Sequence, residues 1–166
     1  EARWTQIGND QLLNWVYQMR QPGTTAETRL MRGSVPEPHT VTEAGLQYRA
    51  HVLRGQNHGI FLDMAQGLRW VYEHIANHPE QRYGLKVLNL FAYTCGFSVA
   101  AMAGGAEQVV NLDMAKAALS RGRDNHRLNQ HDLSRVSFLG HKLFKSWGKV
   151  RKQGPDGLII IDQPSF

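Results

Sequence analysis

The chain has one cysteine, Cys95, in 166 residues, so it cannot form an internal disulfide, and this usage fits a reducing compartment. No apolar run approaches the roughly 18 residues of a membrane span, and no charged, apolar, small-residue leader pattern opens the chain. A cytoplasmic protein without a membrane partner is therefore expected. The three-glycine G-x-G-x-x-G turn of a nicotinamide site is missing, and so is the Gly-Lys-Ser/Thr of a phosphate loop. Acid is scarce in one segment. Between Lys116 and Lys152 the basic residues Lys116, Arg121, Arg123, Arg127, Arg135, Lys142, Lys145, Lys149, Arg151 and Lys152 face only Asp124 and Asp132, within a formal net charge of +5. A one-sided field of that kind attracts phosphate backbones, and it is equally the solvated face of a helix with a lysine-rich loop.

What is present is an alternation of strands and helices in the size of one domain. Lys86-Val-Leu-Asn-Leu90 reads as a strand, followed by a small-residue turn and a helix over 98–104 that Gly104-Gly105 ends. A second strand, 108–112, leads to Asp113 and a helix over 114–129. A third, Val136-Ser-Phe-Leu139, precedes a basic loop, and Gly157-Leu-Ile-Ile-Ile161 reads as a buried strand of a parallel sheet. The order strand, tight turn, helix start offers unpaired N–H groups to a nucleotide-like ligand. An acid at the end of the second strand stands where doubly wound sheets bind ribose hydroxyls.

Upstream, residues 1–80 read as an annex and 81–166 as the ligand-binding domain. Asn9 or Asp10 is expected to cap a helix carrying Leu12, Leu13, Val16 and Met19, ended by Pro22-Gly23. A hairpin is expected from Val41 to Leu53 around Glu43-Ala-Gly45, then a short strand Gly59-Ile-Phe-Leu62 and a helix from about Gln66 with Leu68, Val71, Tyr72 and Ile75 on one face. A sheet ending at the 157–161 strand would leave an apolar edge unpaired, an aggregation hazard. With Glu1 in place of a starting Met, this leads to the expectation that the chain is part of a longer protein.

The turn carries Phe91, Tyr93 and Cys95 at alternate positions and the lone Gly96. It suits a cofactor without phosphates better than a pyrophosphate, which needs close backbone approach. The stretches Asn89-Leu-Phe-Ala-Tyr-Thr-Cys-Gly-Phe-Ser-Val-Ala-Ala101, Gly104-Gly-Ala106 and Val110-Asn-Leu-Asp-Met114 resemble class I S-adenosylmethionine-dependent methyltransferases. The likeness is nearest to the bacterial branch acting on cytosine or guanine of large-subunit ribosomal RNA. Arg54-Gly-Gln-Asn-His-Gly-Ile-Phe-Leu-Asp63, Arg123-Asp-Asn-His-Arg-Leu-Asn129 and Ile161-Asp-Gln-Pro-Ser-Phe166 are similar to further segments of that branch, so the resemblance covers about residues 41–166.

The resemblance implies an α/β, Rossmann-like methyltransferase sheet, incomplete at its C-terminal side, with a small N-terminal helix and β-hairpin subdomain. It implies S-adenosyl-L-methionine as cofactor and RNA, ribosomal in the first instance, as partner. Asn89, Phe91, Ala92, Tyr93, Thr94 and Gly96 would hold the methionine end, Asp113 the ribose hydroxyls and Met114 the adenine. Asp162, Pro164 and Phe166 would form the catalytic wall, where a carboxylate and a carbonyl orient an acceptor atom and a ring stacks an unstacked base. Two positions depart from the branch's pattern: Gln163 replaces a proline, and Gly140-His-Lys142 stands where relatives place an acid near the adenine amino group. These departures motivate an alternative, a cofactor- or RNA-binding module without catalysis; a methyltransferase acting on a non-RNA substrate is the other. Cys95 reads as a small turn residue. His74 and His78 share a helix face, but Ile75 stands where a zinc-hydrolase motif has glutamate, so no metal is expected. Trp147, inside the basic segment, is the aromatic candidate for RNA contact.

Overall fold

The computed structural model describes residues 13–19, 26–54, 57–154 and 157–163. Two compact units emerge, one of residues 1–39 and 50–58 and one of residues 40–49 and 59–166. In the first, β1 (Trp15–Met19) pairs antiparallel with β2 (Glu27–Arg32), Gln18 facing Thr28 and donating to its Oγ1 at 3.1 Å. The expected helix through Val16 and Met19 is thus a strand. Leu13, Val16 and Met19 satisfy helical spacing, but Trp15 and Tyr17 are exposed while Val16 and Gln18 are half-buried. That is a period of two, and β-branched and aromatic side chains favour it. The start of that expected helix, and Pro22-Gly23, lie outside the described residues.

In the second unit, β3 (His39–Glu43) and β4 (Leu46–Ala50), at whose outer ends His39 and Ala50 group with the first unit, form the expected hairpin. Its two turn residues, Ala44 (φ 49°) and Gly45 (φ 82°), are both left-handed, the turn that matches strand twist. The segment 59–62 is not a strand. Gly59 sits at φ 94°, and Leu62–Met64 make a 3-10 turn leading into α1 (Ala65–Ala76). A short α2 (Pro79–Arg82) precedes the parallel sheet of β5 (Lys86–Leu90), β6 (Gln108–Asp113), β7 (Val136–Gly140) and β8 (Leu158–Ile161), ordered β7-β6-β5-β8. Helices α3 (Gly96–Gly104), α4 (Lys116–Leu128) and α5 (Leu143–Arg151) connect them.

Strand alternation gives the sheet two buried faces. Val87, Val109 and Val136 pack with Leu68, Val71 and Ile75 of α1 and with Ala100, Ala101 and Met102 of α3. Leu88, Leu90, Val110 and Leu112 turn to the other face and meet Val150 of α5, with Leu143 against them. This explains why the expected basic loop is a helix: Leu143, Ser146 and Val150 repeat at helical spacing, and burying that stripe outweighs a lysine-rich outer surface. α3 ends as expected, Gly105 at φ 105° and the Ala106 N–H reaching Ala101 O at 3.0 Å. β8, read as buried, is half open: Ile159 is 54% and Ile161 65% exposed, because β8 closes one side of the sheet among the described residues.

Candidate functional site

The strand register assembles the site. Leu90 pairs with Leu112 on one side and Ile161 on the other, and Asp113 pairs with Gly140. The next residues therefore form one row across the carboxyl end of the sheet: Asp162, Phe91, Asp113 and Gly140. Such a row is where open parallel sheets bind ligands. Asp162 and Asp113 stand two strands apart, about 10 Å at the usual strand spacing.

The turn between β5 and α3 is strained in a regular way. Phe91 (φ 57°), Tyr93 (φ 47°) and Cys95 (φ 63°) are all left-handed without being glycine. Each costs of order 1–3 kcal/mol, a burden tolerated where surrounding structure enforces it and found most often at working sites. The enforcing contacts are visible. The Ala92 N–H donates to Leu112 O at 3.1 Å and the Cys95 N–H to Ala92 O at 2.7 Å. Cys95 is fully buried, and a Cβ on Gly122 of α4 would come within 2.3 Å of its Sγ, so helix and turn meet at van der Waals contact. Burial, with the Asp113 charge second, drives the Cys95 thiol far above its ordinary range. Cys95 is therefore a packing residue of the turn.

Asp113 ties the row together. Its Oδ2 accepts the Tyr93 N–H at 2.8 Å and its Oδ1 accepts the Ala115 N–H at 2.7 Å. Each oxygen keeps a lone pair, so the carboxylate can still accept two neighbouring hydroxyls, as a ribose presents. Met114 beside it is 66% exposed, an uncovered thioether available to an aromatic ring. Tyr93 is half-buried and its ring lies 5.2 Å from that of Phe61, which is itself 44% exposed. Burial raises the Tyr93 phenol above its usual range, Asp113 adding to this while Arg121 and the Gly59 backbone oppose it.

The other expected residues are placed as follows. Ala92 and Thr94 are buried in the turn, and Gly96 opens α3. Asn89 is 1% exposed within the strand, its Nδ2 donating to Asn111 Oδ1 at 2.9 Å. Asp162 is half-buried directly after β8, while Pro164 and Phe166 lie outside the described residues.

Sequence reading missed a polar chain below the turn. Asn111 Nδ2 donates to Ser98 Oγ at 2.9 Å, Ser98 Oγ pairs with His126 Nε2 at 2.9 Å, and His126 Nδ1 faces His131 Nδ1 at 3.0 Å. Burial, then the neighbouring His131, lowers His126 to about 3, so it is a neutral imidazole. A signal was there: Asn89 and Asn111 interrupt two otherwise apolar strands at matched register. A second feature lies on the β7 side. Lys116, Leu119, Ser120, Arg123, Phe138, Gly140 and His141 line an open groove of about 380 Å³ with no carboxylate, and Arg123 rests 4.7 Å over the Phe138 ring.

A parallel sheet with a ribose-type acid, an exposed apolar neighbour and a glycine-poor turn at its carboxyl end defines a nucleoside-cofactor protein of the Rossmann-like class. Residues 5–166 match the family model described as S-adenosylmethionine-dependent methyltransferase, and the chain belongs to that family. It is 32% identical over 149 residues to the ribosomal RNA large subunit methyltransferase I of Aeromonas salmonicida, covering 89% of this chain and 36% of that protein. It is 33% identical over 150 residues to the Aeromonas hydrophila protein of the same description, with the same coverage. A crystal structure described as a methyltransferase complexed with SAH superposes with a TM-score of 0.72 at 29% identity, over 84% of this chain and 36% of that one. The chain thus spans about a third of the length of the relatives it matches. The family's cofactor is S-adenosylmethionine, and the acceptor oxygens of Asp113 with the exposed side chain of Met114 suit its ribose and adenine.

Proposed function

We propose that the chain forms the cofactor-holding part of an enzyme that methylates a base in ribosomal RNA, in the cytoplasm. Residues 81–166 supply the cofactor domain, and residues 1–80 an annex whose hairpin meets the RNA. The observation that carries this reading is the Asp113 carboxylate, fixed by two backbone N–H groups and retaining two acceptor sites at the sheet's carboxyl end.

S-adenosylmethionine supplies a methyl group on a sulfonium, already activated for transfer. The protein's task is placement, which contributes through proximity and orientation. Asp113 binds the ribose hydroxyls and Met114 covers the adenine. Phe91, Ala92, Tyr93, Thr94 and Gly96 shape the turn against the methionine end, with Asn89 bracing the strand from below. Asp162, in the row beside Phe91, orients the acceptor base together with Pro164 and Phe166. RNA as partner is supported by the names of the relatives and by the acid-free groove of Lys116, Arg123 and His141. It is supported too by the aromatic and basic surface of α5, where Phe144 is 93% and Trp147 54% exposed. Exposed rings between lysines stack bases and neutralise phosphates.

Methyl incorporation by the intact protein tests the reading. Transfer from labelled S-adenosylmethionine into unmodified large-subunit ribosomal RNA is expected. Transfer to a small molecule or a protein, with none to RNA, would reject the substrate and leave the chemistry. No transfer to any acceptor, with tight cofactor binding, would favour a binding module.

A further inference from the structure

We propose that Asn125 is a positioning residue whose buried carboxamide fastens the hairpin to the cofactor turn and thereby sets the turn's affinity for the cofactor. Asn125, on α4, is fully buried. Its Oδ1 accepts the Arg49 N–H of β4 at 2.8 Å, and its Nδ2 donates to the Thr94 carbonyl at 2.9 Å. The circle closes on the far side. Thr94 Oγ1 donates to Gly59 O at 2.6 Å, and Gly59 itself presses on the hairpin: a Cβ there would sit 3.0 Å from Arg49 O and 3.9 Å from Thr94 Cγ2. Arg49, Asn125, Thr94 and Gly59 thus form a closed ring joining β4, α4, the turn and the segment leading to Phe61.

Two features give this ring a consequence for binding rather than for packing alone. Thr94 lies between Tyr93 and Cys95, two of the three left-handed residues in the turn, so its carbonyl is the handle by which the strained peptides are held. Tyr93 in turn sends its N–H to Asp113. Slack at Thr94 therefore reaches the ribose acceptor within two residues. The chemistry also selects an amide. Only a carboxamide presents a neutral donor and acceptor side by side; an aspartate would aim an oxygen at the Thr94 carbonyl, and glutamine is one methylene too long.

At the residue that caps the end of α4 the protein contains its own control. Asn129 makes a similar clasp on the hairpin, accepting the Gln47 N–H at 2.9 Å and donating to Gln47 O at 2.8 Å; its Nδ2 also reaches the Asn125 main-chain carbonyl at 2.8 Å, but it makes no bond to the turn. Both asparagines hold the hairpin; one also holds the cofactor turn.

The inference rests on the reading that this turn binds the cofactor, and the test separates the two. S-adenosylhomocysteine is titrated calorimetrically into the intact protein and its Asn125→Ala, Asn125→Asp, Asn129→Ala, Thr94→Val and Asp113→Ala variants, with melting temperatures recorded alongside. Loss of affinity by about tenfold in both Asn125 variants is expected from two buried hydrogen bonds, with Asn129→Ala within about twofold of the parent despite a similar drop in melting temperature. Equal weakening by Asn125→Ala and Asn129→Ala would overturn the proposal, as would parental affinity in Asn125→Ala. Should the Asn125 variants fail to fold, Thr94→Val decides: it opens the ring at Gly59 while keeping side-chain shape, and parental affinity there overturns the proposal. Unchanged binding in Asp113→Ala would instead bring down the cofactor-site reading, and the inference with it.

Discussion

The two faces of the central sheet are built from the same strands and differ in kind. Toward α5, β5 and β6 present Leu88, Leu90, Val110 and Leu112, closed by Val150, and the buried stripe of α5 adds the small hydroxyl of Ser146. Toward α3 and α4 the same strands present Val87 and Val109 and then, at matched register, Asn89 and Asn111, continued by Ser98 and His126. Apolar packing is non-directional and holds layers together at many orientations. Hydrogen bonds fix angle as well as distance, at the risk of a large penalty when a partner is lost. The polar residues lie one or two positions below the strained turn and Asp113. The directional face of the sheet is therefore the one that supports the site, and the apolar face supplies cohesion.

The largest effect that sharpens this contrast belongs at the site itself. Asp113→Ala removes a charged acceptor of two hydroxyls and frees the Tyr93 N–H. S-adenosylhomocysteine affinity should fall by at least about a hundredfold, measured by calorimetry. Next come paired substitutions on the two faces. Asn111→Leu strands the Asn89 amide and Ser98 and should cost about 2–4 kcal/mol in denaturant unfolding, with cofactor affinity lost in parallel. Val150→Ala should cost about 2 kcal/mol through its cavity while leaving affinity intact. Parallel loss of affinity in both variants would erase the distinction between the faces.

A smaller effect follows from His126. Its folded pKa of about 3 lies below its ordinary 6.5, so between those values the unfolded chain binds the proton and the folded chain does not. Stability is then full above about pH 6.5 and falls as pH drops toward 3, by up to about 1.4 kcal/mol per pH unit from this group. Burial, then Arg135, lowers His131 also, which steepens the same limb. His126→Gln should flatten the acid limb of a pH series of melting curves; an unchanged slope would remove His126 as its source. The smallest effect lies on the groove. Lys116→Glu with Arg123→Glu should reduce the salt slope of RNA binding by about 2 and leave cofactor affinity alone.

The features legible in the sequence were those with short-range signatures. Lys86–Leu90, the turn, Asp113 and the Gly104-Gly105 stop are all written in consecutive residues, and the four sheet strands follow from them. Spacing misled where two periods overlap, as at Val16 and Met19, and where charge masked a buried stripe, as at Leu143 and Val150. The ring through Asn125 was beyond reach because it closes over sequence separations of 76 and 31 residues. In the sequence, Asn125 is one more polar residue on a basic helix. Only the fold turns its side chain inward.

The most direct measurement is a crystal structure of the protein grown with S-adenosylhomocysteine. The result expected is both ribose hydroxyls at hydrogen-bond distance from the Asp113 carboxylate, the adenine against Met114, and the Tyr93 and Ala115 N–H bonds to Asp113 retained. A ligand bound elsewhere on the sheet, or Asp113 rotated into solvent with the turn closed over its place, would contradict it.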